Sequence, residues 1–259
     1  MSSKPCLLFH KITPRWEAGV TWTTPDQFRR MLVYLADHGW RAADWALDDD
    51  NGKSFYLAID DGYQCTLDYA FPVLRDLGWT AALFIPTMYI GRMNDWDHQF
   101  YGRRFRHLDW NGLRVLSEAG WTIGSHAHSH RALTGLSPVE VVDELTNSKR
   151  ILEEKVGRID WISFPFGRVN DCILTAAQNV GYRGVVVNSV GVTYQAHLSI
   201  MEADPVYLWD WPRLLPGRLQ KRGQFFQWGR TLRQVIRASS GATILWRQVF
   251  PAKQSDYLP

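Results

Sequence analysis

The sequence predicts an α/β protein built on a parallel sheet, in the form of either a barrel or a doubly wound sheet. Short apolar runs rich in β-branched and aromatic residues recur along the chain, and such nearly continuous hydrophobicity is typical of strands buried on both faces. Helical patterns lie between these runs. The segments LADHGW, LRDLGW and LSEAGW each end a predicted helix on glycine and lead toward the next strand. This alternation favours a parallel α/β architecture.

The elements can be assigned in chain order. The predicted strands are the runs CLLFH, FYLAI, AALFI, WTIGS, WISF and GVVVN at residues 6–10, 55–59, 81–85, 121–125, 161–164 and 184–188. The first helix follows Thr24 as its N-cap, has Pro25 at its first position and stops at Gly39. A longer helix is framed in the same way by Ser137 and Gly157. Functional groups on such sheets lie beyond the carboxyl ends of the strands.

The composition narrows the class of protein. The chain has 29 Lys and Arg against 26 Asp and Glu, and this net charge of +3 gives no sign of a nucleic-acid partner. Its three cysteines lie far apart without the spacing of a metal ribbon. No apolar run of about 18 residues predicts a transmembrane segment, and the N-terminus does not resemble a signal peptide. We therefore expect a cytoplasmic protein, or an extracytoplasmic one if its N-terminus was trimmed; the sequence sets no oligomeric state.

The length of 259 residues suits one large domain. We expect a barrel over residues 1–217, completed by a basic helix and strand over 218–259. Eight basic residues and one acidic residue follow position 217, and FFQWGRTLRQVIRA predicts an amphipathic basic helix. The preferred interpretation is a last barrel helix with a solvated arginine face; peripheral contact with an anionic membrane or polymer is the alternative.

Polar residues that can carry chemistry follow four of the predicted strands. In chain order they are His10, the pair Asp60 and Asp61, the cluster His126, His128 and His130, and the segment PFGR at 165–168. Each has an ordinary explanation, because Asp-Asp-Gly is usually a turn, alternate histidines share one face of an extended segment, and Pro-Phe-Gly is common in loops. Their coincidence at strand ends favours a metal site over these explanations.

Three of these segments resemble the motifs of a known family. AIDDGY, GSHAHSHRALTGLS and SFPFG are similar, in order and approximate spacing, to the first three motifs of the NodB-homology polysaccharide deacetylases, carbohydrate esterase family 4. LLFHKI with TPDQFRRMLVYLADHGW resembles the N-terminal part of one branch, so the similarity covers roughly residues 5–215. The resemblance implies a distorted (β/α) barrel that hydrolyses the N-acetyl amide of an acetylated amino sugar or polysaccharide with a divalent metal, expected to be Zn²⁺.

The resemblance also implies a role for each matched residue. Asp61, His126 and His130 would bind the metal, which would acidify its water and polarise the acetamide carbonyl. Asp60 would be the general base, and the backbone N–H of Phe166 would stabilise the oxyanion. His126 and His130 are four residues apart and would face the same way on one helical turn. His128 has no family role and is interpreted as a supporting or surface residue.

The sequence departs from the family pattern at the residue that orients the base. The third motif commonly begins with an arginine, whereas Ser163 occupies the matching position here. Arg168 or Arg213 is the predicted replacement.

A second departure concerns the general acid. The fifth motif of the family supplies a histidine, but the matching strand ATILWRQ has Trp246 and Arg247 there. His10, at the end of the first strand, is the first candidate for the acid, and His197 is the second.

Other functions stay open from the sequence. The same scaffold could act on O-acetyl esters or small amides, or it could be a catalytically silent domain that binds glycan or a partner. A nucleophilic Cys65 is a remote option, since a buried thiol at a helix start is the simpler interpretation. In the long segment between residues 90 and 110, aromatic residues could stack on sugar rings or could pack the loop onto the barrel. They are Trp96, Phe100, Tyr101 and Trp110, with Asp97 as a possible hydroxyl ligand.

Overall fold

A computed structural model of the chain describes residues 4–17, 20–45, 52–95, 104–188 and 197–220. Its strands are β1 (Cys6–Phe9), β2 (Lys11–Ile12), β3 (Trp22–Thr23), β4 (Arg41–Ala42), β5 (Ser54–Ile59), β6 (Ala82–Ile85), β7 (Thr122–Ser125), β8 (Trp161–Ser163), β9 (Gly184–Val187) and β10 (Ser199–Pro205). Its α-helices are α1 (Pro25–Asp37), α2 (Phe71–Leu77), α3 (Trp110–Glu118), α4 (Pro138–Val156), α5 (Asp171–Val180) and α6 (Leu215–Leu219). None of these helices is both long enough and apolar enough to cross a bilayer.

Seven of the strands form a closed parallel barrel, with the helices outside it. The order around the ring is β1, β10, β9, β8, β7, β6 and β5, and β1 pairs with β5 to close it. Strand β4 pairs with the first two residues of β5, and β2 and β3 form a separate two-stranded sheet. The barrel form of the predicted fold is therefore confirmed, and the doubly wound alternative is wrong.

The end signals of the predicted helices act as expected. The Thr24 side chain accepts a hydrogen bond from the N–H of Gln27 at 3.1 Å, and Pro25 begins α1. At the start of α4, Ser137 and Glu140 form a reciprocal capping box, which satisfies backbone donors that the first turn leaves over. The caps thus fix where these two helices begin.

The core has two layers because the barrel strands are buried on both faces. Outside the barrel, Leu7, Leu57 and Leu83 pack against the helices. Inside it, an aromatic group fills the space, with the ring of Trp45 at 5.1 Å from Trp161 and 5.9 Å from Phe84. The close packing of two faces explains the continuous apolar runs that predicted the strands.

Six predicted strands are confirmed within a residue or two, but one barrel strand was missed. Strand β10 reads SIMEADP, and its apolar residues are interrupted by Glu202 and Asp204. The C-terminal helix and strand predicted within 218–259 lie outside the described residues, which end at residue 220. The division of the chain at residue 217 stays a prediction.

Candidate active site

The candidate residues lie on one rim of the barrel, at the carboxyl ends of parallel strands. Asp60 and Asp61 follow β5, the histidine cluster follows β7, and Phe166 lies just beyond β8. His10 follows β1, whose Phe9 is paired with Ile59 of β5. The backbone N–H of Asp60 donates to the carbonyl of Phe9 at 3.0 Å, so His10 lies beside the aspartate pair. The predicted convergence on one rim is confirmed.

Asp61, His126 and His130 form a buried cluster that could hold a metal ion. One ligand atom from each residue lies within 4.8 Å of the others. The Oδ1 atom of Asp61 is 3.5 Å from Nε2 of His126 and 3.2 Å from Nε2 of His130. A carboxylate and two imidazoles, withdrawn from water and aimed at one point, are a donor set that zinc accepts.

The protonation states of the cluster suit cation binding. Burial alone would raise the pKa of Asp61, but the hydrogen bond and charge of His130, with His10 and His126, hold it well below its usual range. Burial, assisted by His130, lowers the pKa of His126 to about 3 against the pull of Asp61. At neutral pH, Asp61 is therefore charged and His126 keeps the lone pair that a metal requires.

The histidine segment is neither a helical turn nor an extended strand, so the predicted geometry was wrong. Residues 126–130 are irregular, and Ala127 and His130 have φ values of 61° and 56°. These left-handed residues reverse the chain direction locally and bring His126 and His130 to the same point. Asp61, with φ of 71°, adopts the same kind of backbone.

The buried carboxylate of Glu144 holds this segment from α4. Its Oε2 accepts the backbone N–H of His128 at 2.9 Å and of Ser129 at 2.8 Å, and its Oε1 accepts the hydroxyl of Ser129. Sequence reasoning missed Glu144, although its position carried a signal. It lies on the buried face of α4 beside Val141 and Leu145, where a charged residue needs partners.

Ser163 orients two residues of the site. Its carbonyl accepts the Nδ1–H of His126 at 2.9 Å, which fixes the imidazole tautomer and leaves Nε2 facing Asp61. Its hydroxyl donates to Oδ2 of Asp60 at 3.0 Å. Within the described residues neither Arg168 nor Arg213 contacts Asp60, so the prediction of a replacement arginine was wrong.

Asp60 is a second buried carboxylate beside the cluster, with 2% of its surface exposed. Burial and then the charge of Asp61 raise its pKa well above the usual value, and the hydrogen bond from Ser163 opposes this shift. Its Oδ1 atom has no hydrogen-bond partner among the described residues. One oxygen is thus anchored while the other can accept a proton.

Of the other predicted site residues, Phe166 lies at the cluster, whereas His197 and Cys65 do not fit the roles considered for them. Phe166 has φ of 60°, and its ring lies 5.1 Å from that of His130, which places the third motif beside the cluster. His197 precedes β10 and therefore lies at the opposite end of the barrel, exposed to solvent. Cys65 is buried, and burial raises the pKa of its thiol to about 12, which argues against a nucleophile.

His128 points away from the cluster into the wall of a neighbouring cavity. Its Nδ1 lies 2.8 Å from Oγ1 of Thr87, consistent with the supporting role expected for it. The cavity has a volume of about 300 Å³ and is also lined by Arg92 and Trp110. Trp110 was one of the predicted sugar-stacking residues; Trp96, Asp97, Phe100 and Tyr101 lie outside the described residues.

A closed parallel barrel with a buried Asp-His-His cluster on its carboxyl rim, beside a second buried carboxylate, is the arrangement expected of a metal-assisted hydrolase. The model of the polysaccharide deacetylase family matches residues 47–185, and the chain belongs to this family. The resemblance drawn from the three motifs is therefore confirmed.

Individual relatives agree with this assignment. The protein YxkH of Bacillus subtilis (strain 168), named as a polysaccharide deacetylase, is 27% identical over an alignment of 197 residues that covers 72% of this chain and 65% of YxkH. The chain thus matches slightly less than two thirds of that relative. The solved Streptococcus pyogenes deacetylase PplD, in complex with acetate, has a TM-score of 0.69 at 19% identity, over 84% of this chain and 98% of PplD. IcaB from Ammonifex degensii has a TM-score of 0.67 at 17% identity, over 85% and 97%. Both share the fold.

Proposed function

We propose that this protein removes N-acetyl groups from an acetylated amino sugar or polysaccharide, with one divalent cation held by Asp61, His126 and His130. The observation that carries the proposal is the buried cluster of these three residues, whose ligand atoms lie within 4.8 Å of one another. Three protein ligands leave a coordination position open, as in catalytic zinc sites, and zinc is the ion we expect. When bound, such an ion polarises an acyl carbonyl and acidifies water.

Asp60 is the proposed general base. Its anchored Oδ2 and its unpartnered Oδ1 suit a group that takes a proton from water. A carboxylate with a raised pKa is a stronger base than an ordinary aspartate, and catalytic bases work best when their pKa approaches the working pH. The backbone N–H of Phe166 is the proposed oxyanion donor, supported by the position of its ring beside His130.

His10 is the proposed general acid for the leaving amine. Its place beside the aspartate pair supports this role, and its charge reaches both Asp61 and His126. No histidine of the described residues after β8 lies on the same rim, because His197 lies at the other end of the barrel.

Metal content tests the proposal most directly. Elemental analysis of untagged protein, purified without chelator, should find about one zinc-like ion per chain in the wild type and none in Asp61→Ala or His126→Ala. His38→Ala is the matched control, because His38 is an exposed histidine that caps the C-terminal end of α1. A wild type that stays empty after zinc is supplied would contradict the proposal.

Acetate release separates the catalytic roles. Asp60→Asn should lose activity on an N-acetylated glycan while keeping its metal, because the amide cannot accept a proton. An active Asp60→Asn enzyme would contradict the base assignment. His10→Ala should lose protonation of the amine, and full activity of this variant would remove His10 as the acid.

Two alternative functions fit the same scaffold. An O-acetyl esterase would use the same residues but would depend less on a general acid, since an alkoxide leaves far more readily than the anion of an unprotonated amine. Matched N-acetyl and O-acetyl oligosaccharides distinguish the two. A silent glycan-binding domain is favoured by Ser163 and by Trp246 and Arg247, which replace family residues. It predicts glycan binding without acetate release.

The cavity beside His128 is a proposed contact for the glycan chain. Trp110 offers an aromatic surface and Arg92 offers hydrogen-bond donors in its wall. Trp110→Ala should raise the KM for a glycan oligomer and leave turnover of a small acetyl ester unchanged. An equal effect on both substrates would mean that Trp110 only packs α3 onto the barrel.

A further inference from the structure

We propose that His107 is a positioning residue that holds the proposed metal ligand Asp61 in its binding conformation. Its Nδ1 lies 2.7 Å from the backbone carbonyl oxygen of Asp61. A carbonyl oxygen only accepts hydrogen bonds, so Nδ1 must carry the proton and donate. The inference rests on the proposed metal site, but it concerns a residue that belongs to none of the family motifs in the sequence.

The surroundings of His107 fix its imidazole in place. The side chain is fully buried, with its ring 4.6 Å from that of Tyr63 and 5.5 Å from that of Tyr89. The Tyr89 hydroxyl donates to Asp95 at 2.5 Å, which holds that ring in turn. A buried imidazole packed against two aromatic rings has little freedom to rotate away from the Asp61 carbonyl.

The hydrogen bond acts where the backbone is strained. Asp61 has φ of 71°, a conformation that costs a non-glycine residue about 1–3 kcal/mol and persists only when its surroundings impose it. The next residue is held as well, because the carbonyl of Gly62 accepts the N–H of Leu108 at 2.9 Å. The N–H of Gln64 donates to the backbone carbonyl of Arg106 at 2.8 Å. The segment that carries His107 therefore holds the turn at several backbone positions.

The hydrogen bond from His107 also fixes the direction of the Asp61 carboxylate. The carbonyl that His107 binds and the Oδ1 atom that faces His126 and His130 belong to the same residue. If Asp61 relaxed to negative φ, its carboxylate would turn away from the two imidazoles. Partners of this kind typically change metal affinity by about 10–100-fold when they are removed.

The test compares zinc affinity in variants that keep or lose the donor. His107→Leu keeps much of the volume without a donor, whereas His107→Asn places an amide N–H near the position of Nδ1. We expect the zinc Kd, measured by competition with a chromophoric chelator, to rise about 10–100-fold in His107→Leu and to recover in His107→Asn. His38→Leu is the matched control, because Nδ1 of His38 makes the same 2.7 Å bond to a backbone carbonyl, that of Tyr34.

Each outcome decides the matter. Circular dichroism of the metal-free proteins establishes that the variants fold, and His107→Met, which also lacks a donor, replaces His107→Leu if that variant does not. A zinc Kd in the donor-less variant equal to that of the wild type would overturn the inference, as would equal losses in it and His107→Asn, which would assign His107 to packing alone. A wild type that binds no zinc would overturn the proposed metal site as well, so the two failures are distinguishable.

Discussion

Removal of the Glu144 carboxylate should loosen the segment that carries His126 and His130. In Glu144→Ala, two buried backbone N–H groups and the Ser129 hydroxyl lose their acceptor. An unsatisfied buried donor costs about 1–3 kcal/mol, so the two N–H groups alone should lower the free energy of unfolding by about 2–6 kcal/mol. Glu144→Gln keeps one carbonyl oxygen for these donors and loses mainly the charge, for which we expect about 1–2 kcal/mol.

The assay is urea unfolding of the metal-free proteins, followed by zinc titration of those that fold. Glu140→Ala is the control on the same helix: Glu140 is solvent-exposed and belongs to the capping box with Ser137, so its loss should be clearly smaller. Zinc affinity should fall in Glu144→Ala and not in Glu140→Ala. If Glu144→Ala were as stable as Glu140→Ala, the hydrogen bonds to Glu144 would not hold the histidine segment.

Further predictions test the base, a buried phenol and the thiols. Ser163→Ala removes a hydrogen bond to the charged form of Asp60, so the pKa of Asp60 should rise and the acid limb of kcat/KM should move up by about 1–2 pH units, with the alkaline plateau unchanged. Burial raises the pKa of the Tyr182 phenol well above its usual value, so above about pH 10 the unfolded chain loses this proton first and stability should fall by about 1.4 kcal/mol per pH unit. Tyr182→Phe should remove that part of the slope in alkaline unfolding experiments, and an unchanged slope would contradict it. Native protein at pH 8 should react with a thiol reagent at the exposed Cys172 alone and after unfolding at three thiols; rapid native reaction of Cys6 or Cys65 would show that the barrel opens.

The sequence was sufficient for the fold because its determinants are local. Each predicted strand is a continuous apolar run, and each predicted helix has its own cap and stop signals, as at Thr24 and Gly39. The exception is β10, which lies between β1 and β9 in the barrel. Its acidic residues break the apolar run, and Asp204 accepts a hydrogen bond from Arg218, 14 residues further along the chain. A pattern within one segment cannot reveal a partner of that kind.

The residues that bind at the site were predictable, but the residues that position them were not. Motif order identified Asp61, His126 and His130 together. In contrast, Glu144 binds the backbone between the two histidine ligands from 15 and 16 residues away, and His107 binds the Asp61 carbonyl from 46 residues away. Such bonds depend on how the loops meet in space, and the backbone conformations that they hold are unusual for the residue types involved.

The distribution of backbone strain argues for a working site rather than a silent one. Among the described residues, the non-glycine residues with positive φ are Asp61, Ala127, His130 and Phe166. All four lie in the three motif segments at the rim, and each conformation costs about 1–3 kcal/mol. A domain that only packed its barrel and bound a partner elsewhere would gain stability by relaxing them. Their retention together, with Glu144 and His107 bonded to the same segments, is expected if the chemistry of the cluster requires this geometry.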